Sequence, residues 1–154
     1  MLKTTCKILA EKKLTIFFFE SASAGYLSYQ FSLNQLSGNI LVGSLVCYDL
    51  SVKEDLLKVS SKLIQKHTAE SMQVTKEMIK KGKKKIESDI YVSCTGLLKK
   101  GGSESKEKPV GTFFYCIDYK NKIYSFRTEY KGKPEIKLQN LLIDICKKIE
   151  EIIS

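Results

Sequence analysis

The apolar residues of this chain follow two rhythms, and the alternation between them lays out the fold. In residues 2–12, Leu2, Cys6, Ile8 and Leu9 recur at helical spacing and predict an amphipathic helix. Residues 14–19 are a near-continuous apolar run, too short for a buried helix and suited to a strand covered on both faces. That run stops at Glu20-Ser-Ala-Ser-Ala-Gly25, a small polar corner, and residues 26–36 return to helical spacing. Ser37-Gly38-Asn39 breaks the pattern, and residues 40–48 read as a second strand.

Two short helical segments follow, residues 52–58 and a piece carrying Leu63 and Ile64. Thr68 is placed to cap a long helix over 69–86, apolar or small at Ala69, Met72, Val74, Met78, Ile79 and Ile86. Residues 89–95 form a third strand ending at Thr95-Gly96. Residues 97–109 are polar, rich in lysine and glycine, and long for a connection in a compact domain; such loops are usually functional or disordered. Residues 110–119 and 122–130 make a hairpin across Lys120-Asn121. Pro134 then suits the first turn of a last helix, 135–153, with Ile136, Leu141, Leu142, Ile145, Ile149 and Ile152 expected inward.

Strands separated by helices pair in parallel with helices on both faces, and a hairpin adds an antiparallel strand. The expected architecture is an α/β fold, a three-layer α/β/α sandwich on a mixed, mostly parallel sheet, with all of 1–154 in one domain. Composition agrees: 154 residues, 43% hydrophobic and 28% charged, is ordinary for one globular domain. No apolar run reaches the length of a membrane span, and the start lacks a secretory signal's apolar segment, so the expectation is cytoplasmic, without membrane partners.

Charge and cysteine usage narrow the chemistry. Five scattered cysteines and a single histidine, His67, give no metal-ligand spacing and no disulfide framework, so no metal is expected. The net charge of +9 comes almost wholly from lysine; Arg127 is the only arginine, which argues against specific nucleic-acid recognition. An anionic small molecule suits the same charge.

Three predicted strands end near one edge of the sheet, where ligands of open α/β sheets collect. That edge gathers Ser21, Tyr48 with Lys53 five residues on, and Thr95-Gly96 leading into the long loop. A serine hydroxyl needs a base to act as a nucleophile. A lysine serves if burial keeps it neutral, and a tyrosine can position a hydroxyl or relay a proton. Backbone N–H groups at the helix start after Ser21 are expected to stabilise an oxyanion. Ser21 read locally also fits a plain helix cap.

The same segments resemble a known family. Glu20-Ser-Ala-Ser-Ala-Gly25 is similar to the Ala-Glu-Ser-Cys-Thr-Gly-Gly segment of the CinA C-terminal domain family, the nicotinamide mononucleotide deamidases. Val46-Cys-Tyr-Asp-Leu-Ser-Val-Lys53 resembles Val-Ala-Tyr-Ser-Asn-x-x-Lys, and His67-Thr-Ala-Glu-Ser71 resembles His-Gly-Ala-Val-Ser. Thr95-Gly96 begins a loop similar to Thr/Ser-Gly-Ile-Ala-Gly-Pro, and Lys108-Pro-Val-Gly-Thr112 matches Lys-Pro-Val-Gly-Thr. The resemblance runs from about residue 2 to 153, without the N-terminal domain of longer members.

It implies hydrolysis of the carboxamide of nicotinamide mononucleotide to nicotinate mononucleotide and ammonia, in pyridine-nucleotide recycling, with no cofactor. It implies Ser21 as nucleophile, Lys53 as general base and Tyr48 as supporting hydroxyl. Glu20, Ser23, Gly25, Thr95, Gly96, Gly101, Gly102, Lys108 and Lys137 are implied around the nucleotide substrate. The chain departs from the pattern at Ala24, Leu50, residues 97–100 and residues 132–134, where a glycine, an asparagine, a glycine-proline loop and an arginine are replaced. Those departures leave open a second reading, a CinA-like protein with lost or changed activity that acts as a nucleotide-binding or interaction module. Self-association into a homo-oligomer is also left open.

Overall fold

The computed structural model describes residues 1–154. Its elements in chain order are α1 (Leu2–Glu11), β1 (Ile16–Glu20), α2 (Tyr26–Ser32), α3 (Ser37–Ile40), β2 (Leu41–Val46), α4 (Leu50–Asp55), α5 (Ser61–His67), α6 (Met72–Gly82), β3 (Ile90–Gly96), β4 (Thr112–Tyr119), β5 (Lys122–Glu129) and α7 (Pro134–Ile153). One five-stranded sheet runs in the order β2-β1-β3-β4-β5. β1 pairs in parallel with both β2 and β3, and β4 pairs antiparallel with β3 and β5, so four of the five strands point the same way.

Side-chain alternation explains why β1 reads as unbroken apolar sequence. Ile16 and Phe18 face one side, in a core with Phe31 of α2, Leu9 of α1 and Leu141, Ile145 and Ile149 of α7. Phe17 and Phe19 face the other, in a second core with Ile64 of α5 and Val74, Met78 and Ile79 of α6. Both faces are therefore covered, as a parallel sheet requires. Burying such a large side chain contributes roughly 1.5–3 kcal/mol. On the α6 side, strand polar groups are paired: Ser93 Oγ donates to the Thr75 carbonyl at 2.7 Å, and the Thr95 and Thr75 hydroxyls meet at 2.9 Å.

Several boundaries differ from those expected. The long helix begins at Met72, with Ser71 as its cap, Oγ accepting from Val74 N. Thr68 instead closes α5 with φ at 71°, a backbone state that cannot begin a helix. α6 stops at Gly82, and Ile86 is left partly exposed beyond it. α4 starts at Leu50, earlier than expected, because Asp49 caps it by accepting from Ser51 N. Ser37-Gly38-Asn39 is a short helix, α3, where a break was expected. In α7, Ile136 is 45% exposed while Lys137 is buried; the inward stripe runs through 137, 141, 145 and 149. No helix is long and apolar enough to cross a membrane.

Candidate active site

The carboxyl ends of β1, β2 and β3 deliver Ser21, Tyr48 and Gly96 to a single cleft. Its volume is about 220 Å³, and Ala22, Glu70 and residues 97–102 complete its walls. Ser21 is 9% exposed, and its N–H donates to the Cys94 carbonyl at 3.2 Å, extending the β1–β3 ladder past the strand end. Its hydroxyl has no hydrogen-bond partner in the protein. The segment 21–25 is a tight turn in which Ala24 takes φ +48° and Gly25 φ +96°. Left-handed backbone is strained for alanine and easy for glycine.

Lys53 is 1% exposed, a lysine held inside the protein by α4. Its ammonium donates to the carbonyls of Cys47 at 2.7 Å and Tyr48 at 3.1 Å, and to no side chain. Burial lowers its pKa, against the opposing pull of Cys47, Glu70, Asp49 and Cys94. No hydrogen bond joins Lys53 to Ser21. Burial pushes the Cys47 thiol up to about 11 and the Cys94 thiol up to about 12, so neither supplies a thiolate near neutral pH. The Tyr48 ring lines the cleft, half in solvent.

Of the residues expected around a substrate, Gly96, Gly101 and Gly102 line the cleft; six others do not and act behind it. Glu20 is fully buried, and its carboxylate accepts from Ser23 Oγ, Leu27 N, Ser28 N and Ser44 Oγ at 2.8–3.1 Å. It satisfies the start of α2 and ties it to β2, so no lone pair is left for a ligand. Ser23 is spent on Glu20 and Cys94. Gly25 is the N-cap of α2. Thr95 is buried against α6. Lys108 donates to Thr68 Oγ1, the Glu70 carbonyl and Ser103 Oγ at 2.6–2.9 Å, pinning the long loop to the turn before α6. Lys137 reaches from α7 to the Leu98 carbonyl at 2.8 Å and holds the same loop from the other side. The Ser23 carbonyl takes the Tyr26 amide and Glu20 those of Leu27 and Ser28, so the expected oxyanion donors at the start of α2 are occupied; the amides of Ala22, Ser23 and Gly25 are left without an acceptor.

Ala22 and Glu70 line the cleft without having been expected there, and Leu97, Leu98, Lys99 and Lys100 line it from the segment that departs from the family pattern. A signal existed for Glu70: it is the one acidic residue in the segment similar to His-Gly-Ala-Val-Ser, where the pattern has valine. No group of three or more His, Cys, Asp or Glu side chains converges to hold a metal.

The profile of the CinA C-terminal domain matches residues 1–144. The chain belongs to the CinA C-terminal domain family. Among its relatives, the "Protein MG115 homolog" of Mycoplasma pneumoniae is 32% identical over 155 residues, covering 96% of each chain. A "CinA-like protein" of Pseudothermotoga lettingae is 35% identical over 112 residues, 72% of this chain but only 27% of that protein. The chain thus spans about a quarter to a third of several CinA-like relatives and nearly the whole of the mycoplasmal one. The fold is shared with solved CinA structures: the competence or damage-inducible protein from Enterobacter asburiae superposes with a TM-score of 0.91 at 18% identity, covering 99% of this chain and 96% of that one. The competence damage-inducible protein A of Klebsiella pneumoniae gives 0.90, also at 18% identity, covering 97% and 93%. In this CinA domain the three-layer sandwich on a mixed sheet is the scaffold that brings the Ser21 cleft together.

Proposed function

We propose that this CinA domain is a cytoplasmic amidohydrolase that converts nicotinamide mononucleotide to nicotinate mononucleotide and ammonia. The observation that carries the reading is the unbonded Ser21 hydroxyl, open to a strand-end cleft. Lys53, buried on α4 with a lowered pKa, does not line that cleft and is bonded only to the Cys47 and Tyr48 carbonyls, so the reading requires it to reach Ser21 once substrate is bound. Ser21 Oγ attacks the amide carbon, and its proton passes to Lys53 Nζ. The oxyanion develops toward the amides of Ala22 and Ser23. Collapse expels ammonia, which takes the proton back from Lys53. A water then repeats the attack on the acyl-enzyme with Lys53 as base, releasing the carboxylate product and restoring Ser21.

The contacts of Lys53 fit this role in one protonation state. A neutral amine has two N–H donors and one lone pair. The two carbonyls of Cys47 and Tyr48 take two donors, which leaves the lone pair to accept the serine proton. Catalytic hydrogen bonds often tighten only once substrate is bound. The competing reading, a nucleotide-binding module without turnover, is favoured by the same contacts taken as purely structural, with Lys53 charged and two of its three donors bonded to carbonyls.

Ammonia release from nicotinamide mononucleotide, followed for wild type, Ser21→Ala and Lys53→Arg between pH about 6 and 10, separates them. Release by wild type and by neither variant supports the hydrolase, since arginine keeps donors but cannot be a neutral base. Thermal stabilisation by the nucleotide with no release from any form supports the binding module.

A further inference from the structure

Glu70 is the exception in the cleft's electrostatics. The chain carries a net +9, and its cleft presents Lys99 and Lys100 from the long loop. Glu70 stands in the same cleft as Ser21 and Tyr48. One carboxylate oxygen accepts from Ser103 Oγ at 2.5 Å, and the other has no hydrogen-bond donor. No lysine or arginine nitrogen lies within ion-pair distance of it. Lys108, the nearest cation by contact, bonds the Glu70 backbone carbonyl instead of the carboxylate. A half-buried carboxylate with an unbonded oxygen and no direct ion pair, its charge felt by Lys53 and Lys108 only at longer range, has room for a cationic partner.

We infer that Glu70 is a specificity residue that selects a positively charged group on the ligand, while Lys99 and Lys100 serve its anionic group. The cleft carries charges of both signs, so it takes a zwitterion: a cationic group against Glu70 and a phosphate against Lys99 and Lys100. This rests on the proposed substrate, whose oxidised pyridinium ring carries the positive charge and the scissile carboxamide together. The alternative use of Glu70, fastening Ser103 and so the loop, needs an oxygen acceptor but no charge. Glu70→Gln keeps the acceptor and removes the charge, so it separates the two.

The test is calorimetric binding to Ser21→Ala, which cannot turn over by the proposed route. Its two ligands are nicotinamide mononucleotide and its 1,4-dihydro form, which have the same phosphate and carboxamide but a cationic and a neutral ring. The expected result is a preference of roughly fivefold for the cationic ring, the scale of one partly solvated charge pair. In Ser21→Ala/Glu70→Gln the preference disappears, with the melting temperature and the affinity for the neutral form unchanged. Equal affinities in the single variant, a preference that survives Glu70→Gln, or no binding of either nucleotide overturns the inference. Ammonia release by wild type is read separately. Charge-selective binding without release sinks the hydrolase and keeps the role of Glu70; release without charge selection does the reverse.

Discussion

Replacing Lys53 by methionine tests the central claim about the site, that burial lowers this lysine's pKa and eases the loss of its proton. Methionine matches the stem in length and removes the amine, leaving the carbonyls of Cys47 and Tyr48 without their donor. A buried acceptor left unpaired costs about 1–3 kcal/mol. Against that, the variant no longer buries a charge, and burial is what lowers the lysine's pKa from its usual 10.5. The two effects trade places with pH. Between the folded pKa and 10.5 the unfolded chain holds a proton that the folded protein has released, so wild-type stability gains from this group as pH rises. Below the folded pKa that gain is absent. The slope from one group cannot exceed about 1.4 kcal/mol per pH unit. Wild type alone would mask it. Thiols raised by burial to about 11 at Cys6 and Cys47 and about 12 at Cys94 and Cys146 act with opposite sign above their ordinary 9.0. Urea denaturation of both proteins under reducing conditions at a series of pH values cancels the thiols of Cys6, Cys94 and Cys146 to first order in the difference. Cys47, which Lys53 itself lowers, is kept out by reading the difference below about 11, where that thiol stays protonated in the folded protein. The advantage of wild type over Lys53→Met should be smallest at neutral pH or below and grow toward pH 10.5. A flat or falling difference refutes the depressed lysine and with it the general base. If the hydrolase reading holds, the same variant loses at least about a hundredfold in turnover, and the wild-type rate rises with pH as Lys53 loses its proton.

The turn and the loops give four further expectations. Ala24→Gly relieves the +48° φ and should stabilise by about 0.5–1 kcal/mol net of the added unfolded-state entropy, read by chemical denaturation. Glu20→Gln turns one of two fully used carboxylate oxygens into a donor facing donors; a loss of about 2–4 kcal/mol is expected, and a loss under 1 would contradict its capping role. Gly111→Ala places a methyl about 2.0 Å from the Tyr130 carbonyl at a φ of +101°, so it should cost more than about 3 kcal/mol and lower the melting temperature sharply. Lys108→Met removes three hydrogen bonds, two that tie the loop to residues 68–70 and one within it; trypsin cleavage after Lys99 and Lys100 should quicken about tenfold while global stability changes little.

What the sequence shows and what it hides divide along a physical line. β1 was legible because burial on both faces demands apolar residues at every position, and Phe17, Phe18 and Phe19 meet that demand whichever way the strand is turned. The hairpin was legible because the Lys120-Asn121 turn, with both residues at positive φ, is a local device. Helix ends were less so, because Thr68 and Ser71 are both good caps and the choice fell to backbone geometry set by the preceding helix. Polar residues were least legible. Whether a carboxylate binds a ligand or caps a helix depends on which donors arrive from elsewhere. Glu20 is spent because Ser44 comes across from β2. Lys108 and Lys137 are spent because carbonyls of residues 70 and 98 come to them. Glu70 keeps an unbonded oxygen because the lysine that could neutralise it was drawn to its own backbone carbonyl instead.

The proposed role of Lys53 as a base depends on the same kind of neighbour, because burial is what lowers its pKa. A surface lysine five residues from a tyrosine would stay charged and inert. Here α4, started early by Asp49, turns the side chain inward, and the chain between β2 and α4 presents two carbonyls that a neutral amine satisfies while its lone pair stays unclaimed. Glu70 in the cleft opposes that neutrality, because a nearby carboxylate favours the ammonium. A cationic ring paired with Glu70 would offset its charge and make proton loss from Lys53 easier. On this proposal ligand charge and base strength are coupled through one side chain, and in Glu70→Gln the acid limb of the kcat/KM profile, which reports the free enzyme, should move to lower pH. A limb that stays in place would separate Glu70 from the lysine it is meant to influence.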